Sequence, residues 1–337
     1  NATCVINFDS AKGHLIGEPN RGLKCMFTFM NAARIGVANE GVAAAEASFQ
    51  GSLTYAKDRL QMRSISGVKN PDGPADPIIV HPDVRRMLLT QKSIAEGGRA
   101  LISYLAQLVD IGHTEKDDAI KADAETKLAL LTPIAKAFLS ELGFECTTHG
   151  VQIFGGHGYI KEWGMEQLMR DTKISCIYEG TTGIQALDLL ARKIIGTQGE
   201  ILKPFAKDVT AFCQENVDNA AMAEFIQPIM AYAQEWHEIT LSIGHKAIKN
   251  PDEIGGASVD YLMYAGYVTL AYFWAKMAKV AQVKLAEGTT DHAFYQAKIN
   301  TARFFIQRML PRAKGHAACI ENGVDSMMAI KSEDFAF

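Results

Sequence analysis

The sequence predicts a mainly α fold: a four-helix bundle, a short extended segment before it and a second helical unit after it. Three observations carry this prediction. From about residue 23 the chain is built of long stretches rich in alanine, leucine and other helix formers. The breaks between them are few and are marked by proline and glycine: NPDGPADP at 70–77, NPDEIGG at 250–256 and EGTTD at 287–291. Only residues 1–22 read otherwise, with CVINF of strand character and GHLIGEPNRG rich in turn formers.

The first helix is MFTFMNAARIGVANEGVAAAEASFQGSLTYAKDRLQM, residues 26–62, which has no proline and faces of small residues that admit close neighbours. A second helix starts near Pro82–Asp83, with an apolar stripe through Met87, Leu88, Leu101, Ile102, Leu105, Leu108 and Val109. The polar stretch HTEKDDAIKADAE leads into a third through LALLTPIAKAFLSEL, with Gly143 as its C′ residue and Pro133 as a bend. GVQIFGGHGY, 150–159, interrupts the helical text with four glycines in ten residues. EQLMRDTKISCIY is a short helix, and ALDLLARKIIG closes the bundle at Gly196. Helices at 199–218, 221–249, 256–287 and 291–313 form the second unit, with apolar residues enough for a separate small core.

Composition narrows the function classes. With 337 residues and 48% hydrophobic side chains the chain can bury a sizeable core. The net charge of −4 and the lack of a basic block argue against nucleic-acid binding. The longest uncharged run, residues 261–275, is shorter than the ~18–20 residues that span a bilayer and reads as a buried core helix. Six cysteines without a CxxC pair fit reduced, mostly buried thiols, hence a reducing compartment: the cytoplasm or the mitochondrial matrix. There is no signal peptide pattern, and the opening NATCVINFD reads as the middle of a strand in a fragment or processed chain.

The stretch IYEGTTGIQ, 177–185, sets an acid, Glu179, at a glycine-flanked joint between helices. Thr181 or Thr182 can N-cap the following helix, which would make Glu179 a solvated acid near the positive end of a helix dipole. The functional alternative makes it a base reaching into a cleft. GGHGY lacks GxGxxG spacing, His149 and His157 lack metal-ligand spacing, and there is no GxSxG elbow. No metal site is expected.

Four motifs in order decide between these readings: MNAARIGVANEG (30–41), YAKDRLQ (55–61), GVQIFGGHGYIKE (150–162) and RDTKISCIYEGTTGIQ (170–185). Together they resemble the C-terminal half of the acyl-CoA dehydrogenase family, over about residues 1–196. Residues 199–337 resemble the extra C-terminal helical domain of a subgroup that includes 3-methylmercaptopropionyl-CoA dehydrogenase. The resemblance implies three parts: the end of a β-domain at 1–22, the helical bundle at 23–196 and the additional helical domain at 199–337. It places the N-terminal domain and most of the β-domain outside this chain, which alone is expected to have little dehydrogenase activity. It implies FAD as cofactor, an acyl-CoA substrate, an electron-transfer flavoprotein as electron acceptor and a homo-oligomer, with a dimer completing the FAD site.

The resemblance also implies residue roles. Glu179 corresponds to the catalytic base, Gly180 to the thioester wall and Thr181 to a flavin contact. Gln152, Gly155 and Gly156 correspond to the stretch that holds the FAD adenosine and pyrophosphate, usually of the partner subunit. Arg59, with Gln61, matches the R-x-Q-F-G arginine that meets FAD phosphates across the dimer. Asn31 and Arg34 fall in the acyl-CoA-contacting motif. Arg59 read alone is a surface charge, and Arg34 read alone pairs with Glu40 or Glu46. The chain departs from the family pattern at Met62-Arg63, where Phe-Gly is usual, at Asn31, where many relatives have aspartate, and at Gly183, where some have a polar residue. An acyl-CoA oxidase and a non-catalytic flavin-binding or assembly protein are the competing functions.

Overall fold

A computed structural model describes residues 4–336. Its helices are α1 (Gly22–Asp58), α2 (Pro82–Thr114), α3 (Asp118–Phe154), the single turn α4 (Gly156–Tyr159), α5 (Met165–Lys173), α6 (Thr182–Leu187), α7 (Lys203–Asn216), α8 (Ala223–Lys249), α9 (Asp252–Ala286), α10 (His292–Phe304), α11 (Arg312–Asn322) and the single turn α12 (Asp325–Met328). The mainly α class holds. Among the described residues the only β pairing is an isolated bridge between Leu60 and Pro77. CVINF therefore forms no strand within the described residues: Val5, Ile6 and Phe8 are exposed, with no backbone edge beside them to complete a ladder.

Local chemistry sets the helix ends. Pro82 opens α2, where its missing N–H costs nothing. The Asp117 carboxylate caps α3 by accepting from the amides of Ala119 (2.8 Å) and Ile120 (3.2 Å). α1 stops at Asp58, so RLQM, expected to be helical, belongs to the loop that follows. Gly143 does not end the third helix. α3 runs on to Phe154, because Gly143 sits where α1 crosses α3. A Cβ on Gly143 would lie 2.5 Å from the Gly41 carbonyl, and one on Gly41 would lie 2.2 Å from the Leu139 carbonyl. The pair of glycines lets two helix backbones touch.

α1, α2 and α3 pack against one another, and α6 lies between α3 and α9. α9 is buried on nearly every side, with Tyr261, Tyr264 and Trp274 fully enclosed. It contacts α8, α10 and α11 of the later stretch and α2, α3 and α6 of the earlier one. The expected separate core of the second unit is therefore not found: Phe138 and Leu139 of α3 share one hydrophobic cluster with Leu270 of α9 and Phe305. The ring of Phe138 meets Tyr267 edge-on at 4.9 Å, and the Trp274 indole N–H donates to the Ser93 carbonyl at 3.0 Å. No helix among the described residues is long and apolar enough to cross a membrane. Of the cysteines, Cys146, Cys176 and Cys213 are buried, whereas Cys4, Cys25 and Cys319 are exposed, so the thiols are less uniformly buried than expected.

Candidate active site

The joint after α5 is a turn with two consecutive residues in the left-handed region, Glu179 at φ +54° and Gly180 at φ +89°. Glycine accepts this freely; glutamate pays about 1–2 kcal/mol for it. A Cβ on Gly180 would also lie 2.5 Å from the Gln185 amide nitrogen.

Several side chains hold the turn. Lys136, in the middle of α3 and fully buried, donates to the Ser175 carbonyl at 2.8 Å and the Gly180 carbonyl at 2.6 Å. The buried Gln185 donates to the Glu179 carbonyl at 2.9 Å. The Thr181 hydroxyl caps α6 by accepting from the Ile184 amide at 3.3 Å, and the Thr182 hydroxyl donates to Glu141 at 2.5 Å. The Tyr178 hydroxyl donates to Glu40. No described residue engages the Glu179 carboxylate or the Glu179 N–H by hydrogen bonding. The side chain is half-buried.

Beneath the turn lies a charged cluster. Burial pushes the Lys136 ammonium down to about 8, partly offset by the nearby Cys176, Glu179 and Glu141, while Arg34 adds to the depression. Burial raises the Cys176 thiol to about 11, with Glu141 adding to it. Arg34 is buried and donates to Asp188 at 3.3 Å, pairing with neither Glu40 nor Glu46. Asp188 also takes Arg192 (3.1 Å) and Lys193 (3.5 Å), and it opens a π-helical stretch, Asp188–Ile194, that continues α6. Asn31 lies three residues before Arg34 on α1 and is exposed.

The other expected residues gather elsewhere. Arg59, Gln61, Gln152, Gly155 and Gly156 line one open cavity of about 500 Å³, whose wall contains neither Glu179, Gly180 nor Thr181. α3 reaches the cavity and stops at Gly155, φ +60°, and space beside Gly155 and Gly156 is open, so a ligand can approach the bare backbone. The Tyr55 hydroxyl bonds His157 Nδ1 at 2.9 Å, and His157 stacks on Trp163 at 4.9 Å, which fixes this corner.

The loop carrying Arg59 is organised by Asp76. Burial alone would raise its carboxyl, but the amides of Ser64, Asn70 and Lys69 and the Arg63 guanidinium outweigh this and hold it at about 2. Arg63 also donates to the Asn70 carbonyl at 2.8 Å and the Gly73 carbonyl at 2.5 Å. The family's Phe-Gly is thus replaced by Met62, at φ +63°, and an arginine that closes the loop.

Sequence reasoning missed Lys136, Gln185 and Asp76. A lone lysine inside the apolar run LALLTPIAKAFL was the available signal for the first; Asp76 was hidden in a proline-rich loop.

A family model described as "Acyl-CoA dehydrogenase, C-terminal domain" matches residues 20–195, more than half of the chain, and one described as "Acetyl-CoA dehydrogenase C-terminal like" matches residues 205–331. The chain belongs to the acyl-CoA dehydrogenase family. It is 38% identical to a 3-methylmercaptopropionyl-CoA dehydrogenase of Ruegeria pomeroyi over 97% of its own length and 55% of that protein. It is 30% identical to a broad-specificity linear acyl-CoA dehydrogenase of Mycobacterium tuberculosis, over 99% of its length and 57% of that protein. The fold resembles a Bacillus anthracis acyl-CoA dehydrogenase solved with FAD, at a TM-score of 0.69 and 19% identity, covering 94% of this chain and 52% of that one. The chain thus spans about half the length of these relatives.

Proposed function

We propose that this chain supplies the base and part of the cofactor cradle of an FAD-dependent enzyme that dehydrogenates an acyl-CoA thioester between its α and β carbons. One observation carries the reading: Glu179 presents an unengaged carboxylate and an unengaged N–H from one residue, on a turn pinned from behind by Lys136 and Gln185. The α-proton of a thioester is weakly acidic, so its removal needs a carboxylate at the carbon and a donor on the thioester oxygen. Glu179 takes the α-proton, and its own N–H meets the developing enolate oxygen. In this reading Gly180, whose missing Cβ is required by the left-handed turn and by Gln185, is the backbone wall of the thioester site. Bound FAD supplies the acceptor for the β-hydride.

The residues present fit that cofactor. Arg59 and the open Gly155–Gly156 backbone, beside Gln152 and Gln61, suit the phosphate and adenosine end of a dinucleotide. Thr181 stands beside the base, on the flavin-contacting side in this reading. The cavity wall includes none of Glu179, Gly180 and Thr181, and in this reading another copy completes the site in a homodimer or larger assembly. Asn31 contacts the CoA portion, and Arg34, buried on Asp188, steadies the π-helical stretch behind it. Electrons leave to an electron-transfer flavoprotein. 3-Methylmercaptopropionyl-CoA heads the substrate panel, because the Ruegeria pomeroyi relative is named for it.

The test is an anaerobic visible spectrum of the intact protein before and after a panel of acyl-CoAs, with Glu179→Gln beside it. The expected result is a flavin that one thioester bleaches. In the variant bleaching should slow by at least about 10²-fold. A variant that turns over normally removes Glu179 as the base. In a parallel aerobic assay, peroxide formed in proportion to turnover would replace the flavoprotein acceptor with oxygen.

A further inference from the structure

Lys136 is a charged side chain with no exposure to solvent, placed in the interior of α3 among apolar neighbours. Such a group persists only when its protons are matched by acceptors. Its acceptors here are main-chain carbonyls on both sides of Glu179: Ser175 at 2.8 Å and Gly180 at 2.6 Å. Gln185 takes the carbonyl between them, that of Glu179 itself. Two consecutive peptide carbonyls are thus turned inward while the Glu179 N–H is left unengaged. The charged and titratable groups facing Lys136 are Arg34 of α1, Glu141 of α3, and Cys176 and Glu179 of the turn. Arg34 is already paired with Asp188 at 3.3 Å, which leaves the turn carbonyls to Lys136.

We propose that Lys136 is the positioning residue of the Glu179 turn, holding the left-handed glutamate in place through the Ser175 and Gly180 carbonyls. This rests on Glu179 as the base. Lys136 touches no reacting atom. It fixes where the carboxylate and the Glu179 N–H stand, and an error of about 1 Å there can cost about 10²-fold in rate.

The test uses the intact protein carrying Lys136→Met, which keeps the bulk and removes charge and donors, and Lys136→Gln, which keeps a neutral donor. The expected result is a kcat lower by roughly 10–100-fold with KM little changed. Lys136→Gln should lose less kcat than Lys136→Met, because its amide can still donate to a turn carbonyl. Independently of activity, amide exchange in residues 175–185 should quicken while α9 keeps its protection. Unchanged exchange at 175–185 in Lys136→Met overturns the proposal. Loss of helix throughout both variants also overturns it, since Lys136 would then be a general scaffold residue. If Glu179→Gln turns over normally, the base reading fails, yet the exchange of 175–185 in the Lys136 variants still reports whether the lysine grips the turn.

Discussion

At the scale of single residues the proposed base stands on unusual backbone. Glu179 and Gly180 are both left-handed, and Gly180 additionally faces Gln185. Gly180→Ala should therefore cost about 1–2 kcal/mol, read as a lower melting temperature. Asp76 makes a second prediction, about pH. Its folded-state carboxyl sits at about 2, below the ordinary 3.8, so it stabilises the loop fully above about 3.8 and less as pH falls toward 2. Amide exchange at 64–76 should quicken in that window, and Asp76→Asn should flatten the dependence. The Thr181 cap was legible in the sequence, since a cap and its helix are neighbours in the chain. The grip of Lys136 was not: its acceptors lie 39 and 44 residues away, and nothing local announces them.

At the scale of elements, close helix crossings dominate. The α1–α3 contact depends on Gly41 facing Gly143. Gly143→Val should force the two helices apart and cost about 3 kcal/mol, measurable by chemical unfolding. A single glycine late in an apolar run reads equally as a terminator or as a crossing point. Only the opposing backbone distinguishes them, and it belongs to a helix about 100 residues earlier. Helix identity was otherwise plain, because proline and glycine mark the breaks around α2, α8 and α9. The strand expected in CVINF fails for the complementary reason: strand propensity is realised only against a partner edge.

At the scale of the whole molecule, α9 ties the two helical stretches into one hydrophobic cluster. They should unfold together. Trp274→Ala, which empties a fully buried site and releases the Ser93 carbonyl, should cost about 3–5 kcal/mol and leave far-UV circular dichroism and tryptophan fluorescence transitions coincident. Separate transitions would mean two independent units. The apolar pattern of each helix was readable, but which face meets which helix was not, because leucine and alanine carry no address. The division of the candidate site was likewise out of reach: the motifs lie in order along the chain, yet the fold sends Arg59 and Gln152 to one cavity and Glu179 to another place.

The burial of Lys136 has a chemical consequence of its own. Thioesters acylate amines, and an amine held at about 8 offers far more free base at neutral pH than an ordinary surface lysine. Lys136 is thus the kind of nucleophile that an activated acyl group would consume, in a chain proposed to hold such groups. Its complete enclosure within α3 and the turn withholds it. The packing that makes this amine reactive also makes it unreachable, so acetylating reagents should mark the surface lysines of the folded protein and reach Lys136 only once the chain unfolds.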